Sequence, residues 1–495
     1  MASVSGSNLS FFSPNNNFTQ PVNLILSDGT TTTGSTVAGA YNIEIFTTTS
    51  PGTALPGVDA TAIIEGAQLI APNEVQAGTL SSTEELLTGN VWLVDQTGGE
   101  SITAATQDGV SQSVSGSAGD TITAGNGAGS SLLVDASNAR GDIVVGPETI
   151  IGGGAQETVW AARGDSIVGG SGGMTVAGNG SNSPPGGSGS MTIVGGTGDL
   201  MVFDVGTTNS ITGSSSGSTF IDSSYAGDGQ NTITAGSGTS PVTLAGITAG
   251  NFIKIGIGDS VNGGSGGTVL VDGHAGSFDT INAGAASGIT VWGGANDSVI
   301  GGSANLQFND NVGGSNSTVT GGKGGLYAFN LGTGDSIVGG SGGTVAGTIF
   351  SNIIDDSYTG AEGNNTLVGG TASTLIVAGP NDSVVAVKAS LLVDIRANLG
   401  ATSAETVDLS GSKGGGVKST TIRDDDTLGG TGTAVTLTGF QSTQDVIASA
   451  TSVDLSNNFT GTSAVQNGGT LLTFNDGTTM FLSGVTDVSK VNFTQ

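Results

Sequence analysis

The hydrophobic positions of this chain come in short bursts of β-branched and aliphatic residues, each bounded by Gly, Ser, Asp or Asn. Five stretches read nearly alike: Gly164-Asp165-Ser166-Ile167-Val168-Gly169-Gly170, Gly258-Asp259-Ser260-Val261-Asn262-Gly263-Gly264, Asn296-Asp297-Ser298-Val299-Ile300-Gly301-Gly302, Gly334-Asp335-Ser336-Ile337-Val338-Gly339-Gly340 and Asn381-Asp382-Ser383-Val384-Val385. Asp or Asn, then Ser or Thr, then Ile or Val recurs from position 120 to 382, with several neighbouring gaps between 17 and 23 residues. A second kind of burst ends in Asp, as in Leu133-Val134-Asp135, Phe220-Ile221-Asp222, Leu270-Val271-Asp272, Ile353-Ile354-Asp355 and Leu392-Val393-Asp394. A turn, a short strand and a second turn repeated in this way stack as coils instead of folding around one compact core.

The expected fold is therefore all-β: a β-solenoid of the β-roll or β-helix type, with about 20 residues per coil and two or more short strands in each. Ile167, Val261, Val299 and Ile337 should stack inside, with the flanking Ser and Thr facing water. Glycine at the corners supplies the positive φ that tight turns require. An open solenoid end exposes unpaired backbone groups, so each end needs a cap or a neighbour.

The two ends of the chain read differently. Residues 1–90 carry alternating strand patterns at Val22–Leu26 and Tyr41–Phe46, punctuated by prolines, and suggest an N-terminal β cap or docking domain. Within it, Ser81-Ser82-Thr83-Glu84-Glu85-Leu86-Leu87 begins like a helix of one or two turns, with a capping residue and early acids. Residues 91–435 form the Gly-rich repeat. In residues 436–495, Asn475-Asp476-Gly477 lies between two apolar runs and predicts a hairpin that caps the last coil.

Composition narrows the chemistry. The 495 residues include 90 Gly, no Cys, 10 basic and 40 acidic residues, for a formal net charge of −30. A nucleic-acid partner is not expected, because phosphate binding needs clustered Lys and Arg. Thiolate metal sites and disulfides are excluded. No apolar run is long enough for a transmembrane helix, and no N-terminal secretion signal is visible, so membrane insertion is not expected. The scattered acids suit solubility or divalent cations held in turns.

The C-terminal residues resemble the end of bacterial repeats-in-toxin (RTX) proteins, in which a Gly-Phe…Asp-Val-Ile strand precedes a hairpin ending in Leu-x-Gly-Val and a tail with a Phe. Phe440, Asp445, Phe474, Leu482, Gly484, Val485 and Phe493 occupy those places. The resemblance implies an RTX-related surface protein, exported by type I secretion machinery that reads an uncleaved C-terminal signal, and hence an extracellular, cell-surface location. The family's calcium turn, Gly-Gly-x-Gly-x-Asp, has no strict copy here; Gly332-Thr333-Gly334-Asp335 and Gly256-Ile257-Gly258-Asp259 are one residue short. Calcium remains the one candidate cofactor, with Asp222, Asp228, Asp272, Asp279, Asp355, Asp356 and Glu362 as candidate ligands and plain hydrogen-bonded turn acids as the alternative for each.

Other chemistry is thin. His274 is the single histidine. Zinc chemistry on one His and no Cys is not expected. A polysaccharide lyase or epimerase would need a base such as His274 or Lys254 in a charged groove. Arg140-Gly141-Asp142 and Arg163-Gly164-Asp165 spell an integrin-type tripeptide, and the second falls on a repeat turn. The Thr-x-Thr pairs at Thr121/Thr123, Thr232/Thr234 and Thr318/Thr320 resemble ice-binding patterns, but their irregular alternation with Ser-Ile-Val argues against one continuous flat face. The expectation is a secreted, non-enzymatic structural protein whose main partner is itself, assembling as a surface layer, filament or biofilm matrix. Cell-surface polysaccharide is a further candidate partner. The alternatives are a calcium-dependent glycan-binding adhesin and, behind it, a β-helix lyase or epimerase.

Overall fold

The computed structural model describes the strands between residues 22 and 94 and most of 99–495. Residues 100, 105, 110, 117, 137–146, 179–188, 225–228, 239–241, 245–246, 250, 266–267, 274–277, 311–315, 344, 346–347, 349, 357–362, 388, 396–403, 413–419 and 425–432 lie outside that description, as do 1–21 and the links between the early strands. The chain divides into two compact units, Met1–Asn251 and Phe252–Gln495.

Each unit is a β-solenoid. A coil gives one short strand to one parallel sheet and one longer strand to a second. In the first unit the short strands run from Glu84–Leu86 through Ser101–Ala104, Thr121–Ala124 and Thr149–Ile151 to Thr232–Thr234, each in register with the one before. The longer strands include Ser131–Asp135, Gln156–Ala161, Met174–Gly178, Leu200–Phe203 and Thr219–Asp222. The second unit repeats the arrangement, with short strands from Ser260–Asn262 to Ser383–Val385 and longer ones from Thr268–Asp272 to Leu391–Ile395. Each strand's partners lie one coil before and one coil after it, so the ladders advance and do not close into a barrel.

From Ser101–Ala104 to Thr232–Thr234 and from Ser260–Asn262 to Ser383–Val385, the second residue of each short strand points inward. Ile102, Ile122, Ile150, Ile167, Ile193, Ile211 and Ile233 form one buried column in the first unit, and Val261, Ile281, Val299, Val319, Ile337, Leu367 and Val384 another in the second. Val261, Val299 and Ile337 thus share a column as expected, with Ile281 and Val319 between them. Coil length varies around the expected value: 17 residues separate Ile150 from Ile167, and 30 separate Ile337 from Leu367.

The longer strands face this column with Val271, Val291, Phe308, Ala328, Ile354 and Ile376 in register. Phe308 is the largest fully buried side chain among the described residues. Its ring fits because the coil before it has Gly293, where a Cβ would lie 2.8 Å from the ring, and the coil after it has Ala328. Phe308→Ala leaves a cavity that rigid coils above and below cannot fill, and should destabilise the second unit by about 3–5 kcal/mol in a thermal melt.

Two features of the ends differ from the sequence reading. Glu84–Leu86 is a strand, not a helical turn: it pairs in parallel with Ser101–Ala104, and that ladder outweighs local helical preference. At the other end, Gly469–Thr473 and Thr479–Ser483 form the expected hairpin around Asn475-Asp476-Gly477. A third strand, Thr462–Gln466, adds to it in antiparallel fashion, and Thr479–Ser483 joins Ala434–Thr438 of the coil below. The strand Tyr41–Phe46 is present and pairs in parallel with Val22–Ser27 and Ala62–Ile64.

Candidate functional site: the acid ladder and the uncharged face

The residue just before each short strand is buried and polar in most coils: Asp120, Glu148, Asp165, Asn209 and Asn231 in the first unit, and Asp259, Asp279, Asp297, Ser317, Asp335, Asn365 and Asp382 in the second. A carboxylate out of water needs hydrogen-bond donors, and the coil geometry brings backbone amides to it from two directions. One oxygen accepts from the equivalent residue one coil earlier. Glu148 N–H donates to Asp165 Oδ1 (2.9 Å), Asp259 N–H to Asp279 Oδ1 (2.8 Å), Asp279 N–H to Asp297 Oδ1 (3.1 Å) and Ser317 N–H to Asp335 Oδ1 (2.8 Å). The other oxygen closes its own turn. The amide three residues earlier donates to Oδ2: Ala162 to Asp165, Gly256 to Asp259, Gly294 to Asp297, Gly332 to Asp335 and Gly379 to Asp382, all at 2.7–2.9 Å. That turn needs a left-handed residue just before the acid, and Gly164, Gly258, Asn296, Gly334 and Asn381 supply it with φ between 61° and 87°.

Burial sets the electrostatics. Desolvation pushes the Asp165 carboxyl up to about 6, against the pull of amides from Glu148 and Ala162. Asp279 is pushed up to about 8 by burial, helped by the Asp297 charge one coil on; its Oδ2 has no hydrogen-bond partner. Asp297, Asp335, Asp382 and Asp445 are also raised, chiefly by burial. Asp310, fully buried at the end of a longer strand, is pushed up to about 9 by burial and by Asp335. Gly332 N–H reaches Oδ2 of both Asp310 and Asp335, so the two carboxyls meet at one donor. A proton held between them relieves the like-charge contact. Glu157 plays a related part at the opposite corner: it accepts from Gly153 N–H (3.0 Å), and burial pushes it up to about 7.

The sequence-predicted calcium ligands that lie among the described residues do not converge on one site. Asp222 ends a longer strand of the first unit and accepts from the Ser224 amide and hydroxyl. Asp272 and Asp355 lie in one row of the second unit but four strands apart, on the order of 19 Å at ordinary strand spacing. Asp279 is part of the acid ladder. Asp356 is buried and accepts from the Asn365 side-chain amide (2.9 Å). Asp228, Glu362, His274 and Arg140-Gly141-Asp142 lie outside the described residues. Among the described residues, no group of three or more His, Cys, Asp or Glu side chains is placed to hold a metal ion. Asp165 of Arg163-Gly164-Asp165 is fully buried, so that tripeptide is not presented as a recognition loop.

The outward side of the short strands is the second notable surface. The first outward residue is Ser or Thr in every strand from Ser101 to Thr232 and from Ser260 to Ser383. The second is Thr, Val, Ile or Asn. No charged residue occurs at any of these positions, in a chain with 40 acids. The Thr-x-Thr and Ser-x-Val strands pair in register, so within each unit the first outward position is an unbroken row of Ser and Thr, while Ile, Val and Asn interrupt the second position and with it the Thr-x-Thr pattern. Beside it in the second unit lies a shallow trench floored by Gly301, Gly302, Gly321, Gly322, Gly339 and Gly340.

No family model matches the chain, and neither a curated protein nor a solved structure does. No described helix is long and apolar enough to cross a membrane.

Proposed function

We propose that this protein is a secreted, non-enzymatic structural element that assembles with copies of itself outside the cell, as a layer, filament or matrix component. The observation that carries this reading is the division of labour between its polar groups. The ladder acids turn inward and bond to backbone amides, where they serve architecture. From Ser101 to Thr232 and from Ser260 to Ser383 the outward side of the short strands carries only uncharged side chains, so two copies of a chain with net charge −30 can approach there with the least repulsion. Export by a type I machine and location at the cell surface belong to the same proposal and rest on the resemblance at Phe440, Asp445, Leu482, Gly484, Val485 and Phe493. Calcium, in this reading, acts between molecules by screening surface acids such as Asp272 and Asp355.

Negative-stain electron microscopy of the purified protein, with millimolar calcium and again with chelator, tests the reading. Regular filaments or sheets are expected with calcium, and shorter or fewer ones in chelator. Isolated particles in both conditions would remove the self-assembly proposal and favour an adhesin.

A further inference from the structure

The third strand of the C-terminal cap, Thr462–Gln466, is an open edge. All five of its residues are exposed, Val465 at 63%. It pairs with Gly469–Thr473 on one side, and no other described strand pairs with it. Its two-residue connection, Asn467 (φ 49°) and Gly468 (φ 76°), fits a type I′ turn. Such a turn makes Gln466 and Gly469 a hydrogen-bonded pair, and antiparallel alternation then does the same for Ala464 with Leu471 and Thr462 with Thr473. The N–H and C=O groups of Ser463 and Val465 therefore point away from the hairpin, toward solvent.

Natural sheets protect such an edge with charge, proline or a bulge. This one has none of these. From Leu455 to Asn475 the chain carries no charged residue and no proline, although its net charge is −30. The register with Gly469–Thr473 is regular throughout.

We propose that Thr462–Gln466 is a self-pairing edge that joins two copies of this chain through an antiparallel strand–strand contact. This rests on the self-assembly reading above and names one of its contacts. The strand is self-complementary about Ala464. Placing Ala464 opposite its own copy sets Ser463 against Val465 of the second copy, and Val465 against Ser463, with all four residues offering outward backbone groups. The contact forms four backbone hydrogen bonds and makes the sheets of the two C-terminal caps continuous. A second copy is the favoured occupant because the pairing is two-fold symmetric and the charge-free edge lets two strongly acidic chains meet without opposing carboxylates.

Val465→Pro tests it in the full-length protein. The substitution deletes an amide that points to solvent in the monomer, so the hairpin keeps its own hydrogen bonds. Val465→Lys places a charge on the same edge and keeps the amide. In sedimentation velocity, wild type is expected to show a dimer or larger species at concentrations where both variants sediment as monomers, with melting temperatures matching wild type. Association of both variants at wild-type strength would overturn the edge proposal and leave self-assembly standing by another surface. A wild type that sediments as a monomer at every concentration would overturn the edge proposal and the self-assembly reading together.

Discussion

Raising the pH from about 4 to about 9 is expected to lower the melting temperature of this protein steadily, the reverse of the usual acid sensitivity of carboxylate-rich folds. The ladder acids and Glu157 hold their protons more tightly folded than unfolded: Asp165 is pushed up to about 6, Asp279 to about 8 and Glu157 to about 7. The folded state therefore binds more protons than the unfolded chain across this window. The stability these groups contribute is present in full below the unfolded values near 4 and is lost as pH rises through the folded ones. A rise of two units corresponds to about 3 kcal/mol for one group, and neighbouring acids that share protons contribute less than their sum. Asp454 and Asp487 are held below the ordinary range by hydrogen bonds from Asn458 and Ser489, and act in the opposite sense only in stronger acid. Asp279→Asn should flatten the curve and raise the melting temperature near pH 8. Its amide oxygen can still accept from the Asp259 amide, and Asn209, Asn231 and Asn365 already fill this place in other coils. A wild-type melting temperature that climbs between about pH 5 and 8 would contradict the ladder's electrostatics.

Gly322→Ala is expected to destabilise the second unit by more than about 3 kcal/mol, at the upper end of overpacking effects. A Cβ at Gly322 would lie 2.1 Å from the Gly302 carbonyl oxygen and 2.4 Å from the carbonyl carbon of Gly301. The obstruction is backbone one coil away, which a rotamer change cannot relieve. The same contact recurs at Gly302 against Gly284 and at Gly370 against Gly340, so the glycines after these short strands let neighbouring coils close to strand spacing. Gly129→Ala is the control. Its φ of +71° makes alanine unfavourable, but nothing lies within 4 Å of a Cβ there, so the cost should be about 1 kcal/mol. Similar losses from both variants in a chemical denaturation series would show that the corner glycines serve only turn conformation.

The short strands were legible because their cue is local: an acid or amide, a hydroxyl residue, then Ile or Val before Gly-Gly. The stacked column of Ile and Val follows from register once coils are assumed. The burial of the ladder acids was not legible. Asp297 or Asp335 before a strand reads as an ordinary turn acid, and only the coil stacked on it brings the second amide and excludes water. Asp310 gave less warning still, since its partner Asp335 is 25 residues away in sequence and adjacent only through one coil's return. Glu84–Leu86 misled because a Ser-rich start and early acids suit a helix, while the strand that fixes its conformation, Ser101–Ala104, lies in the next coil. The edge strand Thr462–Gln466, exposed on both faces, has no hydrophobic alternation that marks it in the sequence. Residue type near a turn does not separate a calcium ligand from an acid that bonds its own backbone. Among those described, Asp279 and Asp356 instead face inward toward amide donors.

The central claim is that the ladder acids are a framework held partly neutral by burial. Infrared spectroscopy of the calcium-free protein at about pH 7 tests it most directly, because a protonated carboxyl and a carboxylate absorb at distinct positions and burial holds part of the ladder protonated there. The expected result is a carboxylic-acid band in the folded protein that vanishes on unfolding and shrinks in Asp279→Asn and Asp310→Asn. A folded protein with no such band, all of its carboxyls ionised, would contradict the account.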